Sequence, residues 1–215
     1  MYCWLNNRQR YIKEYFEDGD KLDTRYLRFG SQFSKMVEDL CEIMERVPNR
    51  ALAINELRKD YQFDENMESV LMELDIEGIS EFEIRAKVRG IVPILAFLDK
   101  YVPRDGAIQE YKTGLQPWTM ARVQKHDQLP FYGVGLKWSG KPLPPKALLH
   151  WVETKEIEQE RVDFWRGGAK IILATGRIKT FEREFDEREF ERMEDLIIRV
   201  ATEISDAYQE HLSQI

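Results

Sequence analysis

The sequence has few cysteines and no long apolar segment. Only Cys3 and Cys41 occur among 215 residues, too few for a disulfide framework or for an iron–sulfur cluster held by four cysteines. No apolar run approaches the roughly 20 residues that a membrane-spanning helix needs. The first residues also lack the charged and then apolar pattern of a secretion leader. These absences predict a cytoplasmic protein with no membrane association.

Internal repeats and low-complexity stretches are missing as well, which excludes solenoids and disordered linkers. With 43% hydrophobic and 12% aromatic residues, a chain of this length can bury a core of its own. We therefore expect one domain over residues 1–215. Its expected parts are a mainly helical region (1–80), a sheet region (81–185) and a C-terminal helix (186–215).

Positive charge is concentrated in the middle of the chain. The net charge is −7, which by itself disfavours a nucleic-acid partner. From Arg85 to Lys146, however, eleven Lys or Arg face four Asp or Glu, a local balance of +7 against −14 elsewhere. This middle third is either an ordinary solvated surface or a surface that attracts a polyanion.

Hydrophobic periodicity predicts helices at both ends and strands between them. "FGSQFSKMVEDLCEIMERV" has apolar residues at helical spacing, with Gly30-Ser31 as the expected start, and a similar stripe runs through "DEREFERMEDLIIRVATEISDAYQEHL". "EFEIRAKVRGIVPILAFLD", "AIQEYKT", "ALLHWVET" and "AKIILATGRIKTFE" are typical of strands. The pattern predicts an α/β fold with a central mixed sheet flanked by helices and a long C-terminal helix.

The turn "PRDG" places two acidic residues opposite each other. If it closes a hairpin, Val102 pairs with Ala107, and counting outward brings Asp99 opposite Glu110. Two like charges at that spacing destabilise a sheet unless something compensates them. Mg²⁺ does so, because it prefers hard oxygen ligands and is often held by one or two carboxylates.

Lys112 shares a face with Glu110 in any register, because side chains alternate along a strand. A lysine beside metal-bound water can orient a nucleophile or balance the charge on a phosphate. The alternative is a plain ion pair between Glu110 and Lys112 on a solvated strand.

Three short motifs resemble those of the RecB-like branch of the PD-(D/E)XK nuclease superfamily. Asp99 followed by Glu110-x-Lys112 is similar to its signature, and Gln128 and Tyr132 are similar to the Gln-x-x-x-Tyr motif on the next helix. The resemblance implies the restriction-endonuclease-like core of that superfamily. If Asp127 caps the helix, Gln128 and Tyr132 share one face.

An upstream match to the same branch is incomplete. RecB-like nucleases often have Gly-x-x-x-His followed four residues later by Glu, and here Gly30 and Glu38 match while Ser34 occupies the histidine position. Serine is a poor metal ligand, so a second metal would depend on Glu38 or water. Without the resemblance, Glu38 is an exposed helix acid.

The resemblance implies a metal-dependent deoxyribonuclease. Asp99, Glu110, Glu38 and the main-chain carbonyl of Tyr111 would bind Mg²⁺ or Mn²⁺, and Lys112 would orient the attacking water. Some relatives hold an iron–sulfur cluster, but two cysteines predict none here. Stand-alone relatives of this size are often phage or bacterial exonucleases of recombination or repair, which implies DNA as substrate and a protein of such a pathway as a further partner.

Residues within the basic third are candidates for DNA contact. Arg122, Lys125 and Lys137 would meet phosphates, and the ring of Trp118 would stack on an unpaired base or else belong to the core. Gln128 and Tyr132 would contact DNA or hold the catalytic lysine.

Two alternative functions remain at this stage. A nuclease-like fold that binds nucleic acid or protein without cutting is favoured by Ser34 and by the acidic total charge. A site-specific endonuclease would need an additional base-reading element, and none is evident.

Overall fold

The computed structural model describes residues 2–17, 19, 24–159 and 169–213. These residues form eight helices and five strands. The helices are α1 (Tyr2–Asn6), α2 (Arg8–Tyr15), α3 (Arg25–Arg46), α4 (Arg50–Leu57), α5 (Glu65–Glu73), α6 (Met120–Gln124), α7 (Gln128–Trp138) and α8 (Glu187–Leu212). The strands are β1 (Ile79–Val88), β2 (Val92–Val102), β3 (Ala107–Gly114), β4 (Lys146–Gln159) and β5 (Ala169–Glu184).

The strands form one mixed sheet in sequence order, β1-β2-β3-β4-β5. Neighbouring strands are antiparallel except β3 and β4, which run parallel because α6 and α7 cross between them. The predicted α/β class, with a central mixed sheet and a long C-terminal helix, is confirmed. No helix in the described ranges is long and apolar enough to cross a membrane.

The hairpin at "PRDG" has the predicted register, but its strands separate early. Val102 pairs with Ala107, Tyr101 with Ile108 and Lys100 with Gln109. The ladder stops there, so Asp99 and Glu110 come next in line without being paired. Because β2 and β3 share only these three pairs, a gap opens between them at the two carboxylates.

The ladder between β1 and β2 is interrupted at the same level. Glu81 and Asp99 lie opposite each other without pairing, and Glu81 has a φ of +45°. This left-handed conformation is uncommon for a side chain other than glycine, asparagine or aspartate. Pairing is regular on both sides, through Ser80–Lys100 and Phe82–Leu98. The interruption therefore changes the direction of the backbone without shifting the register.

Helices α3, α4 and α5 pack on one face of the sheet. The stripe predicted for α3 is buried against Tyr111 of β3 and Val152 of β4. The helix starts earlier than predicted, at Arg25, because the Thr24 side chain accepts a hydrogen bond from the Leu27 amide and caps it. Gly30 is thus inside the helix, and a Cβ there would lie 3.4 Å from Oγ1 of Thr113 in β3.

Helices α6, α7 and α8 cover the opposite face. Asp127 precedes α7 as predicted, but its side chain forms no capping hydrogen bond. Gly133 of α7 faces Phe190 of α8, so the two helices approach closely. The predicted stripe of α8 is buried at its first four positions, whereas Tyr208 is exposed.

An arginine of β5 joins these helices to the sheet. Arg183 is 3% exposed, and its Nη1 donates to the carbonyl oxygens of Val123 (3.0 Å) and His126 (3.1 Å). Its Nη2 donates to Glu189 of α8 at 3.2 Å. One buried guanidinium thus connects the end of α6, the residues before α7 and the first turn of α8.

We expect Gly133→Ala to destabilise the fold. A Cβ at this position would stand 2.1 Å from Cε1 of Phe190, so one of the helices must shift. Overpacking of this kind lowers the free energy of unfolding by about 1–3 kcal/mol, which urea denaturation would measure.

Two further variants control this prediction. Gly114→Ala adds a Cβ that meets nothing within 4 Å, so we expect a change within about 0.5 kcal/mol. In a Phe190→Leu background, Gly133→Ala should lower the free energy of unfolding by less than it does in the wild-type background. An equal cost in both backgrounds would contradict the assigned contact.

Candidate functional site

A cleft of about 770 Å³ opens where β2 and β3 separate, beneath α3. Its lining includes four carboxylates and two lysines, together with apolar side chains of α3 and the exposed ring of Phe97. The charged residues are Lys35, Glu38, Glu81, Asp99, Glu110 and Lys112. Three elements therefore supply acidic groups to one cavity: α3, the β1–β2 hairpin and β3.

Glu110 is buried, with 2% of its surface exposed. One carboxylate oxygen accepts a hydrogen bond from Lys112 Nζ, whereas the other, Oε2, is buried and has no hydrogen-bond partner. Burial raises the pKa of Glu110, and the charge of Lys112 opposes that rise. A buried oxygen with no donor is costly unless a cation or a water reaches it.

A polar chain fixes Lys112 from the α7 side. Its Nζ donates to Oε1 of Gln128 at 2.8 Å, and Nε2 of Gln128 donates in turn to the hydroxyl of Tyr132. Gln128 and Tyr132 lie one helical turn apart on the face of α7 that meets the sheet. The motif residues of the strand and of the helix are therefore in direct contact.

Asp99 bridges the gap between β2 and β3. Its Oδ2 accepts a hydrogen bond from the Tyr111 amide at 2.6 Å, a side-chain contact just beyond the last ladder pair. Burial, and next the negative charge of Glu110, raise the pKa of Asp99 from 3.8 to about 7. The two carboxylates are thus close enough for their charges to repel.

Tyr111, between the two motif residues of β3, points toward α3, whereas Lys112 contacts α7. Its hydroxyl donates to the carbonyl oxygen of Asp75 at 2.7 Å, and its ring meets the edge of Phe33. The side chain belongs to the core beneath α3. Its backbone carbonyl stays a predicted metal ligand.

Glu38 and Ser34 line the cleft from α3. Glu38 is half-buried and accepts a hydrogen bond from Lys35 Nζ at 2.7 Å, while the same lysine lies 2.9 Å from Asp39. Glu38 faces the predicted site, but a lysine already neutralises it. Its role as a ligand stays a prediction.

Sequence reasoning missed Glu81, which lines the cleft opposite Asp99. Burial and the charges of Asp99 and Glu38 raise the pKa of Glu81. Strand periodicity gives no signal for it, because its left-handed φ cannot be read from a sequence of ordinary strand residues.

The donor set at the cleft fits a divalent cation. Asp99 and Glu110 supply hard oxygen ligands, and the unpartnered Oε2 of Glu110 is a buried lone pair with no donor. Among the residues that the structure describes, no three His, Cys, Asp or Glu side chains come close enough to form a metal cage. A two-carboxylate site completed by water and phosphate is the arrangement that Mg²⁺ commonly takes.

The candidate DNA-contacting residues lie in different settings. Trp118 is buried in the core at 7% exposure, with the guanidinium of Arg122 4.1 Å from its ring centre. Arg122 and Lys125 are exposed beside the start of α7. Lys137, at the far end of α7, pairs with Glu194 at 2.7 Å. The structure thus brings the first three near one another and leaves Lys137 apart.

The excess positive charge of residues 85–146 is largely paired. Six of its eleven basic residues form ion pairs, several with acids outside that segment. They are Arg85, Arg89, Arg104, Lys112, Lys137 and Lys146. The part of this region that presents unpaired charge in the described structure is therefore smaller than the sequence suggests, and includes Arg122 and Lys125.

Comparison with known proteins finds a similarity of fold and none of sequence. No family model matches the chain, and no curated protein matches its sequence. The "Putative exonuclease" of Eubacterium rectale superposes with a TM-score of 0.51 at 9% identity, over 93% of this chain and 73% of that one. A phage-related exonuclease from Haemophilus somnus 129PT gives a TM-score of 0.46 at 14% identity, over 96% and 81%.

The first of these comparisons and the topology agree on the architecture. This chain has a five-stranded mixed sheet flanked by helices, with the motif residues on β2, β3 and α7. The TM-score of 0.51 shows that the Eubacterium rectale structure shares this α/β fold.

We expect metal-free protein to become less stable as the pH rises from about 4 to about 7. The pKa of Asp99 is about 7 in the folded chain and near 3.8 when unfolded. Between these values the folded state binds more protons, so the free energy of unfolding falls with pH, by at most about 1.4 kcal/mol per pH unit for one group.

Urea denaturation in EDTA at several pH values measures this slope. Asp99→Asn should flatten it, although Glu110, whose pKa is also raised, retains part of it. Asp105→Asn is the control, because that exposed residue lies outside the cleft. Equal slopes for wild type and Asp99→Asn would contradict the assigned pKa.

Proposed function

We propose that the protein is a metal-dependent DNA nuclease, and specifically an exonuclease. One arrangement carries this proposal: Lys112 Nζ is held between Glu110 and Gln128, next to Asp99, in an open cleft. Two carboxylates and a fixed ammonium are the groups that hydrolysis of a phosphodiester needs.

Asp99 and Glu110 would hold Mg²⁺ or Mn²⁺. On Glu110 the ligand would be Oε2, the buried oxygen that has no hydrogen-bond partner. A bound cation would lower the pKa of a coordinated water and neutralise charge that develops on phosphate oxygens. The raised pKa values of the two carboxyls favour this role, because burial has made their negative charges costly and a divalent cation offsets that cost.

Lys112 would orient the attacking water and donate a hydrogen bond to the reacting phosphate. Its side chain is partly exposed at 26%, so the ammonium reaches the cleft while Glu110 and Gln128 restrict its position. In the reaction, the water oxygen bonds to phosphorus and releases a proton to solvent as the bond from phosphorus to the leaving sugar oxygen breaks. The leaving oxygen takes a proton from solvent.

Gln128 and Tyr132 would act as positioning residues. They do not line the cleft, yet they fix the lysine through consecutive hydrogen bonds. Because Tyr132 is buried in α7, the orientation of Lys112 depends on how that helix packs on the sheet.

DNA would approach along α6 and the start of α7. Arg122 and Lys125 are exposed there, six and three residues before Gln128, and can bind phosphates without reading sequence. The name of the Eubacterium rectale neighbour supports exonuclease over endonuclease. A protein of recombination or repair is the corresponding partner class.

We predict metal-dependent loss of linear DNA that requires Glu110 and Lys112. Purified protein would be incubated with end-labelled single- and double-stranded DNA and with closed circles, with Mg²⁺, Mn²⁺ or EDTA. Glu110→Gln and Lys112→Ala should each reduce the rate by about 10²-fold or more, because each removes a group that acts on developing charge.

Matched variants outside the cleft test whether the loss is specific. Glu158→Gln and Lys155→Ala change exposed residues of β4 and should retain wild-type rates. Cleavage of closed circles, which have no ends, would show an endonuclease instead of an exonuclease. DNA binding without cleavage, unchanged in Glu110→Gln, would refute the catalytic proposal and leave a binding module.

Gln128→Leu should lower kcat by about 10-fold or more while changing KM less. The variant removes the acceptor that restricts Lys112 but leaves the ammonium itself. Steady-state kinetics on linear DNA would separate the two constants, with Gln124→Leu on the exposed side of α6 as control. A change confined to KM would indicate that Gln128 contacts DNA instead.

A further inference from the structure

Phe97 is an aromatic residue of β2 whose ring is uncovered at the cleft. Its surface is 48% exposed, and it is part of the cleft lining. Its neighbours Ala96 and Leu98 pack in the core with Tyr132 of α7, so the alternation of the strand turns the Phe97 ring the other way. Within the described ranges Phe97 belongs to none of the core clusters. The fold therefore gains little from an aromatic side chain at this position.

The α3 side of the same cleft is apolar as well. Tyr26 and Leu27, in the first turn of α3, are 40% and 51% exposed and line the cavity. The Tyr26 hydroxyl donates to Glu156 at 2.7 Å, which restricts its ring. Large apolar side chains that are exposed singly need no explanation, but these three border one cavity. The cleft thus combines the buried carboxylate of Glu110 with an exposed apolar rim, formed by Tyr26, Leu27 and Phe97.

A ligand that matches both parts of the cleft carries a charged group beside a flat apolar one. A nucleotide does so, because its phosphate can meet a cation at Asp99 and Glu110 while its base stacks on an aromatic ring. Phe97 lies two residues before Asp99 on β2, which separates their Cα atoms by about 6–7 Å. The phosphate and the base can therefore belong to the same nucleotide or to adjacent ones.

The size of the cleft favours a single strand over a duplex. Its volume of about 770 Å³ is within the range of sites for drug-sized ligands, about 300–1,000 Å³. A short stretch of single strand fits such a cavity, whereas a duplex, whose major groove alone is about 12 Å wide, does not. Within a duplex each base is also covered by its neighbours, so a protein ring reaches the face of a base only after that base has left the stack.

We propose that Phe97 stacks on an unpaired DNA base next to the phosphate that is hydrolysed, with Tyr26 and Leu27 bordering the same strand. The inference rests on the proposed function, since it names the form of DNA that the same cleft accepts. The end of a duplex would have to fray before it entered. Because the rim is apolar and every base has a π-face, Phe97 would select unpaired DNA without selecting a sequence.

Binding of a strand with bases and of a strand without bases tests this inference. Labelled oligo-dA and an abasic strand of equal length would be titrated with the full chain and followed by fluorescence anisotropy. Ca²⁺ would replace Mg²⁺, because it takes the same oxygen ligands. The two strands carry the same phosphates, so the difference between their Kd values isolates the bases. We expect wild type to bind oligo-dA about 10-fold more tightly than the abasic strand, and more tightly than a blunt duplex.

Substitutions of Phe97 should change only the contribution of the bases. Phe97→Ala should bind oligo-dA about 10-fold more weakly and the abasic strand as wild type does. Since the ring is exposed, this variant should fold normally. Phe97→Trp retains an aromatic face and should keep the preference for bases. Leu52→Ala, an exposed apolar residue of α4 outside the cleft, is the control and should match wild type with both strands.

The outcomes separate this inference from the proposed function. Equal affinity of wild type for both strands, or tighter binding of the blunt duplex, would overturn the inference even if DNA is cut. An equal loss of both strands in Phe97→Ala would overturn it as well, because that loss would not come from the bases. A preference for bases that depends on Phe97 would support it. If such a protein cut no DNA in Mg²⁺ or Mn²⁺, the proposed nuclease would fail while the recognition of unpaired bases stood.

Discussion

The burial of one carboxylate, that of Glu110, determines much of the surrounding structure. Removing a charge from water costs several kcal/mol unless partners compensate it, and a buried charge that loses its partner costs about 3–5 kcal/mol. Lys112 is that partner, and Gln128 of α7 holds Lys112 in turn. The helix therefore has to pack on the sheet before Lys112 is held from both sides. The free oxygen of Glu110 leaves the compensation unfinished, and under the proposed function a cation would complete it.

The second constraint is the small number of hydrogen bonds that join the three strands at the cleft. The β2–β3 ladder ends after three pairs, and the β1–β2 ladder is interrupted at the same level. A continuous antiparallel sheet would fill this region with backbone and turn its side chains alternately up and down. The two irregularities instead admit side chains from neighbouring strands to one cavity. Asp99 accepts the amide hydrogen of Tyr111, so part of the lost ladder is replaced by a side chain.

The sequence revealed those parts of the site that depend on local rules. Turn chemistry around Gly106 set the register that brings Asp99 next to Glu110, and helical spacing placed Gln128 and Tyr132 on one face. Glu81 could not be found in this way, because its position depends on a left-handed φ angle that no local sequence rule indicates. The start of α3 was predicted too late. Gly30 resembled a helix start, whereas the residue that caps the helix is Thr24, further upstream. Charge counts along the chain also overstated the unpaired positive charge of residues 85–146. Several of its basic side chains form ion pairs with acids distant in sequence, such as Glu194 and Glu182.

The contacts of Arg183 have a consequence for biosynthesis. Its guanidinium joins the backbone before α7 to Glu189 of α8, so the helix that carries Gln128 is fixed only after β5 and the start of α8 have docked. On a ribosome the chain emerges from its N-terminus, and the carboxylates of the cleft appear long before this clamp can form. Hydrolytic capacity would thus arise late, once nearly nine-tenths of the chain has been made. Under the proposed function, a nascent chain would in this way be kept from acting on nucleic acid near the place of its synthesis.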